Sequence, residues 1–101
     1  MSKEVELLSL LRRGKKNGTS AARLAESLGT STRGVGSIVE DARRGGALIC
    51  SGLTGYYLPE TRKELEETYL NIRRRSLSML FTMKKTREAL KTWTESETKE
   101  T

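Results

Sequence analysis

The segment from residue 19 to residue 40, TSAARLAESLGTSTRGVGSIVE, constrains the fold more than any other part of this chain. Its apolar residues recur at helical spacing on either side of Gly29, which supplies the backbone freedom that a tight turn requires. Ser31 follows the turn and is a suitable N-cap for a second helix. The inward faces of the two predicted helices are Leu24, Ala25 and Leu28 in the first and Val35, Ile38 and Val39 in the second.

Two helices that cross through such a turn form a helix-turn-helix, and the second helix of that motif enters the major groove of DNA. Arg33 carries a two-pronged donor suited to guanine, whereas Glu40 either accepts from cytosine or pairs with Arg44 four residues later. The predicted base-contacting residues are those facing away from the core: Ser31, Thr32, Arg33, Gly36, Ser37 and Glu40.

Two glycines, Gly34 and Gly36, lie inside the predicted second helix. Each costs about 1 kcal/mol of helix stability relative to alanine. A glycine at such a position permits close approach of the helix backbone, either to DNA or to another helix, and both interpretations stay open at this point.

The charge balance favours a polyanionic partner. The formal net charge is +6 and charged residues make up 32% of the chain, which indicates duplex DNA first and an anionic membrane second. Basic residues flank the predicted helix-turn-helix on both sides and are the predicted phosphate contacts: Lys15, Lys16, Arg43 and Arg44.

Several classes of chemistry lack the residues that they require. The chain contains one cysteine and no histidine, which excludes an internal disulfide, the usual zinc sites and histidine general bases. Cys50 is expected in the core, and no other set of groups suggests catalysis, a cofactor or a small-molecule ligand. With neither a membrane span nor a signal peptide in the sequence, we expect a cytoplasmic protein that is not an enzyme.

Behind the second helix the sequence predicts a β-hairpin. Residues 47–50 form its first strand, residues 51–55 its turn, and residues 56–58 its returning strand. A short first helix precedes the motif, with its apolar residues at Val5, Leu7, Leu8, Leu10 and Leu11. The expected fold is mainly α with a small β-hairpin (α+β), a winged helix-turn-helix followed by a long C-terminal helix.

The run from Leu24 to Glu60, which ends GALICSGLTGYYLPE, resembles the winged-helix module at the N-terminus of the biotin repressor. Many prokaryotic and phage regulators share that module. The resemblance implies the fold and DNA binding by the second helix of the motif, and implies nothing about biotin, because the repressor's catalytic domain has no counterpart here. The hairpin turn carries no lysine or arginine, so whether this wing contacts DNA stays open.

A long helix is predicted after Pro59. Thr61 and Glu64 fit a capping box, and no glycine or proline follows before Trp93. The helix would span about 48 Å, more than the winged helix can cover. Apolar residues recur at alternating steps of four and three, which is typical of paired helices. The predicted dimerisation residues are Leu65, Tyr69, Ile72, Met79, Met83 and Leu90, and a second apolar stripe comprises Leu70, Leu77, Leu80 and Phe81.

These observations predict three segments: a DNA-binding domain at residues 1–59, a dimerisation helix at 60–93 and a disordered tail at 94–101. The expected function is sequence-specific regulation of transcription in a bacterium, phage or mobile element, by a homodimer on double-stranded DNA. The alternative is a protein-interaction adaptor that uses the winged helix as a scaffold and the long helix as a docking surface. The acidic residues interspersed along the long helix argue against membrane binding by its basic face.

Overall fold

The structure, a computed structural model, describes residues 2–93 of the 101-residue chain. It confirms a mainly helical fold with a small antiparallel hairpin and a long C-terminal helix. The predicted disordered tail lies outside the described residues. The elements are α1 (Lys3–Leu10), a short 3-10 turn (Lys15–Asn17), α2 (Ala21–Leu28), α3 (Thr32–Arg44), β1 (Cys50–Gly52), β2 (Gly55–Tyr57) and α4 (Arg62–Thr92).

Residue contacts divide the chain after Tyr69 into an N-terminal unit and a C-terminal unit that begins at Leu70. The first turns of α4 therefore belong to the N-terminal unit, whereas the prediction ended the first domain at Pro59. The reason is local: side chains of these turns bond to the hairpin and to the segment before α2, as described below.

The core of the N-terminal unit lies among α1, α2 and α3. Both predicted inward faces are confirmed, with Ile38 half-buried and the other five residues buried. In α1, Val5 and Leu10 are exposed, at 50% and 38% of their surface, so only part of its apolar sequence packs inward. Each fully buried aliphatic side chain contributes about 1.5–3 kcal/mol to folding. The buried apolar residues of this core are Leu7, Leu11, Leu24, Ala25, Leu28, Val35, Val39, Ala42 and Ile49.

The turn between α2 and α3 has the predicted chemistry. Gly29 adopts a left-handed conformation with φ 67°, and its N–H donates to the carbonyls of Ala25 and Glu26. Thr30 N also donates to Ala25 O, at 3.0 Å, which closes the end of α2. Ser31 Oγ accepts from Gly34 N at 3.0 Å and caps α3. These bonds fix the angle at which α3 leaves the turn.

The hairpin is tighter than predicted and begins later. Ser51 pairs with Tyr56 and Gly52 with Gly55, which leaves only a two-residue connection. The predicted bounds were wrong because the chain before β1 is bonded to the end of α3: Ala47 N donates to Ala42 O at 3.0 Å. Ser51, Gly52 and Gly55, which the prediction placed in the turn, are paired residues of the two strands.

A third extended segment joins the hairpin, which the sequence analysis did not anticipate. Thr19 and Tyr56 exchange two backbone hydrogen bonds, each of 2.9 Å, so the residues just before α2 lie along β2. Leu58 N donates to Arg12 O at 2.8 Å, and Gly14 N donates to Leu58 O at 2.9 Å. The hairpin is thus tied to the connection between α1 and α2.

Side-chain hydrogen bonds fix the start of α4. Thr61 Oγ1 accepts from Glu64 N at 3.2 Å, as the predicted capping box requires. The Glu64 carboxylate accepts from Glu60 N at 2.9 Å and from Lys15 N at 3.1 Å, and these bonds lower the pKa of Glu64 from its ordinary value. Thr68, only 3% exposed, accepts from the backbone of β1.

The described part of the C-terminal unit, from Leu70 to Trp93, is the remainder of α4 and the residue after it. Ile72 is half-buried, and every other residue in this stretch is exposed. Across residues 2–93, no helix combines the length and apolarity needed to cross a membrane.

Candidate nucleic-acid interface

Four of the predicted base-contacting residues share the solvent-facing side of α3: Arg33, Gly36, Ser37 and Glu40. Ser31 is the N-cap that precedes the helix, and Thr32 is its first residue. Val35, Val39 and Ala42 bury the opposite side in the core. Gly36 is partly exposed, and the other five predicted residues are exposed. A shallow depression of about 380 Å³ on this surface is lined by Arg33, Gly36, Ser37, Glu40, Asp41 and Arg44. Asp41 is the one member of this lining that the sequence analysis did not select.

The arginines of α3 have different surroundings. The guanidinium of Arg33 makes no hydrogen bond or ion pair with any residue in the described part of the chain. Arg44 lies 4.0 Å from a Glu40 carboxylate oxygen and 3.9 Å from one of Asp41, as the alternative interpretation of Glu40 predicted. These two ion pairs are exposed, and such pairs contribute at most about 1 kcal/mol.

Arg43 has a structural role that the sequence analysis did not anticipate. Its Nε donates to Ile49 O at 3.0 Å, and its Nη2 donates to Ser51 Oγ at 3.3 Å. The side chain is half-buried and joins the end of α3 to β1. Its contribution as a phosphate contact stays a prediction, whereas its contribution to the hairpin is evident from these bonds.

The two glycines of α3 differ in the space around them. A Cβ on Gly34 would meet the Thr30 hydroxyl, and it would lie 3.3 Å from Thr30 Cβ and 3.4 Å from Ser31 Oγ. A Cβ on Gly36 would meet nothing within 4 Å. Packing within the chain therefore accounts for a glycine at Gly34. It does not account for one at Gly36, which is the position on the predicted DNA-facing side.

The predicted phosphate contacts before α2 also differ. Lys15 Nζ lies 3.7 Å from Glu67 Oε2, and the Lys15 backbone donates to Glu64. Lys16 makes no ion pair within residues 2–93. Of the two lysines, Lys16 therefore carries the uncompensated charge.

The hairpin turn presents an apolar residue to solvent. Leu53 is fully exposed, at 103% of its reference surface, whereas Thr54 Oγ1 donates to Lys15 O and holds the turn against the preceding segment. Residues 50–58 contain no lysine or arginine. The turn is therefore held in place but offers no cation to a phosphate.

The predicted dimerisation residues lie along α4 with most of their surface uncovered. Leu65 and Ile72 are half-buried, and the rest are exposed: Tyr69 at 59%, Met79 at 68%, Met83 at 49% and Leu90 at 69%. The second stripe is also exposed, with Leu70 at 46%, Leu77 at 49%, Leu80 at 54% and Phe81 at 63%. Both apolar stripes of α4 are therefore largely open to solvent.

The structure places Cys50 in the core, as predicted. Its side chain is buried, its Sγ lies 3.7 Å from Glu64 O, and burial raises the pKa of the thiol. A buried thiol with a raised pKa is a poor nucleophile. Within residues 2–93, no group of three or more His, Cys, Asp or Glu side chains is placed to hold a metal ion.

Comparisons of this chain with family models, with curated proteins and with solved structures find no match. The resemblance to the winged helix of the biotin repressor therefore stays a prediction from the residues that carry it.

Proposed function

We propose that this protein is a sequence-specific regulator of transcription, of bacterial, phage or mobile-element type. It binds double-stranded DNA with α3 in the major groove, and it acts as a homodimer paired through α4. The function is binding rather than catalysis and needs no cofactor. The free Cys50 thiol is compatible with the reducing conditions of the cytoplasm.

One observation carries this proposal: the exposed face of α3 presents an arginine without a partner. Among the described residues, Arg33 has neither a hydrogen bond nor an ion pair, although carboxylates lie further along the same helix. A guanidinium in this state makes two parallel hydrogen bonds to guanine without first breaking a bond within the protein. The exposed hydroxyl of Ser37 lies on the same side, and that of Thr32 is exposed at the start of the helix; both add donors and acceptors for base edges or phosphates.

The homodimer accounts for the apolar surface of α4. Its predicted dimerisation residues follow heptad spacing, the pattern of a helix paired with a similar helix. A second copy of α4 presents the same spacing, so each apolar side chain meets a counterpart. A twofold dimer also relates two α3 helices by symmetry, and such proteins recognise sites made of two similar half-sites.

An adaptor function remains the second candidate, because Leu53 is fully exposed in a hairpin turn without cations. A hairpin that grips DNA commonly carries lysine or arginine for the phosphates. The two functions differ in their response to salt. An adaptor with incidental positive charge releases every DNA sequence at about the same salt concentration, whereas a regulator retains selected sequences.

Arg33→Ala is expected to weaken binding to the preferred site by about 1–3 kcal/mol, or roughly fivefold to 150-fold, because it removes a bidentate base contact. Binding to mixed-sequence DNA should change much less, so selectivity falls. Fluorescence anisotropy on both duplexes measures the effect. Arg62→Ala removes an exposed arginine from the start of α4 and is the matched control. Unchanged selectivity in Arg33→Ala would remove Arg33 from base readout.

Gly36→Ala is expected to raise the free energy of unfolding by about 0.5–1 kcal/mol, because alanine is the better helix former and meets no neighbouring atom. DNA affinity should fall in the same variant if the α3 backbone approaches the groove closely at this position. Urea unfolding and anisotropy measure the two effects. Gly34→Ala is the control variant. Its new Cβ would crowd Thr30, so this substitution should not stabilise the protein. A stabilised Gly36→Ala variant with undiminished affinity would contradict close approach.

A further inference from the structure

A second depression in the N-terminal unit lies beside the first turn of α2. Its volume is about 350 Å³, and its lining contains three cations and no carboxylate. Lys16 is one of the predicted phosphate contacts, and Arg12 belongs to the same basic segment of the sequence, residues 12–18. Arg23 was not selected from the sequence. The turn residues Gly18 and Thr19 also line it.

The three cations are not neutralised by the protein. Arg12, Lys16 and Arg23 form no ion pair within residues 2–93. Arg12, Lys16 and Arg23 are exposed and make no side-chain hydrogen bond within residues 2–93. Three like charges around one depression repel each other, and an anion placed between them removes that repulsion.

The charge at the α2 end of the depression is also uncompensated. Arg23 lies in the first turn of α2, and that turn contains no acidic residue. A helix N-terminus carries partial positive charge and is normally accompanied by acidic side chains. The N-terminus of α2 and the side chain of Arg23 are both positive, so both attract an anion.

The backbone around the depression is held by hydrogen bonds before any ligand arrives. Arg12 O accepts from Leu58 N, and Thr19 exchanges two bonds with Tyr56. Asn17 Nδ2 donates to Arg13 O at 2.8 Å, which fixes the turn that carries Lys16. The three cations are thus attached to a backbone that is already in place, so little ordering of the main chain is needed on binding.

We infer that Arg12, Lys16 and Arg23 form a binding site for a phosphate group. The two arginines supply planar, bidentate donors that match phosphate oxygens, and Lys16 adds a point charge. Two sources present this chemistry, a phosphodiester of duplex DNA and a free phosphate. For the DNA source the inference rests on the proposed function. Arg12 and Arg23 then contact the DNA backbone in place of Lys15, which is paired with Glu67.

The test uses the full chain and four variants: Arg12→Gln, Lys16→Gln, Arg23→Gln and, as the matched control, Lys15→Gln. Affinity for a mixed-sequence duplex is measured over a range of KCl concentrations. The slope of log affinity against log salt should fall by about 0.9 for each variant that removes a phosphate contact. Lys15→Gln should leave the slope close to that of the wild type. Thermal melting by circular dichroism shows whether each variant is folded.

A second measurement is independent of DNA. Inorganic phosphate is added to the isotopically labelled protein, and the NMR amide signals of Gly18, Thr19 and Arg23 are followed. Saturable shifts that disappear in Arg12→Gln and Arg23→Gln support the site. Such shifts together with unchanged salt slopes assign it to a free phosphate and overturn the DNA source. Wild-type slopes in all folded variants and no phosphate-dependent shifts overturn the site. Because the duplex has mixed sequence, sequence-specific binding can fail without affecting this result.

Discussion

Ile72→Glu combined with Met79→Glu is expected to convert a dimer into a monomer. Both side chains belong to the predicted dimerisation residues of α4, and each glutamate would place an unpaired carboxylate in an apolar helix pair. The cost arises twice at each position in a symmetric dimer, so the expected loss of association is large. Light scattering at micromolar concentration measures the oligomeric state, and the wild type is expected to be dimeric.

The same double variant should lose affinity for a site with two half-sites far more than for a single half-site, since only the dimer binds both at once. Asn71→Glu with Ser78→Glu is the matched control. It adds the same charges at the same spacing to exposed polar positions, and should remain dimeric. A wild-type protein that is already monomeric in the absence of DNA would contradict the homodimer, and α4 would then be a surface for a different protein.

Gly55→Ala is expected to cost more stability than any other single glycine replacement in the hairpin region. Gly55 has φ 110°, and a Cβ there would lie 2.5 Å from the Thr19 carbonyl carbon and 2.8 Å from Ser20 N. Backbone strain alone costs about 1–3 kcal/mol, and the clash with a fixed backbone adds to it. The total is a large fraction of the 5–15 kcal/mol that typically stabilises a domain. Urea unfolding monitored by circular dichroism measures this loss.

Gly46→Ala is the matched control for Gly55→Ala. Gly46 also has a positive φ, 102°, but a Cβ there would meet nothing within 4 Å. Gly46→Ala should therefore lose only the stability that the backbone strain costs, without the further loss caused by a clash. Equal losses in the two variants would contradict the close packing of the hairpin against Thr19, which ties the hairpin to the helices.

The helical part of the fold follows from local sequence, because the apolar residues of α2 and α3 have a helical period and Gly29 and Ser31 have the chemistry of a turn and a cap. The hairpin bounds were predicted less well. They were wrong because the chain before β1 is bonded to the end of α3, with Ala47 N donating to Ala42 O. The pairing of Tyr56 with Thr19 was also not predicted, because no short-range pattern indicates a contact between residues so distant in the chain.

The candidate site was also predicted only in part. The exposed side of α3 was predictable from periodicity, and the structure brings Arg33, Gly36, Ser37 and Glu40 onto one surface. The sequence did not indicate which lysines and arginines form ion pairs or hydrogen bonds within the protein, because these bonds depend on tertiary contacts. Lys15 meets Glu67 from α4, and Arg43 bonds to β1 and the residue before it. Arg12 and Arg23, which come from different parts of the chain, line one depression.

The most direct test of the central claim, sequence-specific DNA binding, is a gel-shift selection of genomic fragments at rising salt concentration. Electrostatic attraction of a chain with net charge +6 retains many fragments at low salt. We expect that a few fragments stay bound when the rest are released, and that Arg33→Ala abolishes this preference. Release of all fragments at the same salt concentration would contradict a regulator and favour the adaptor.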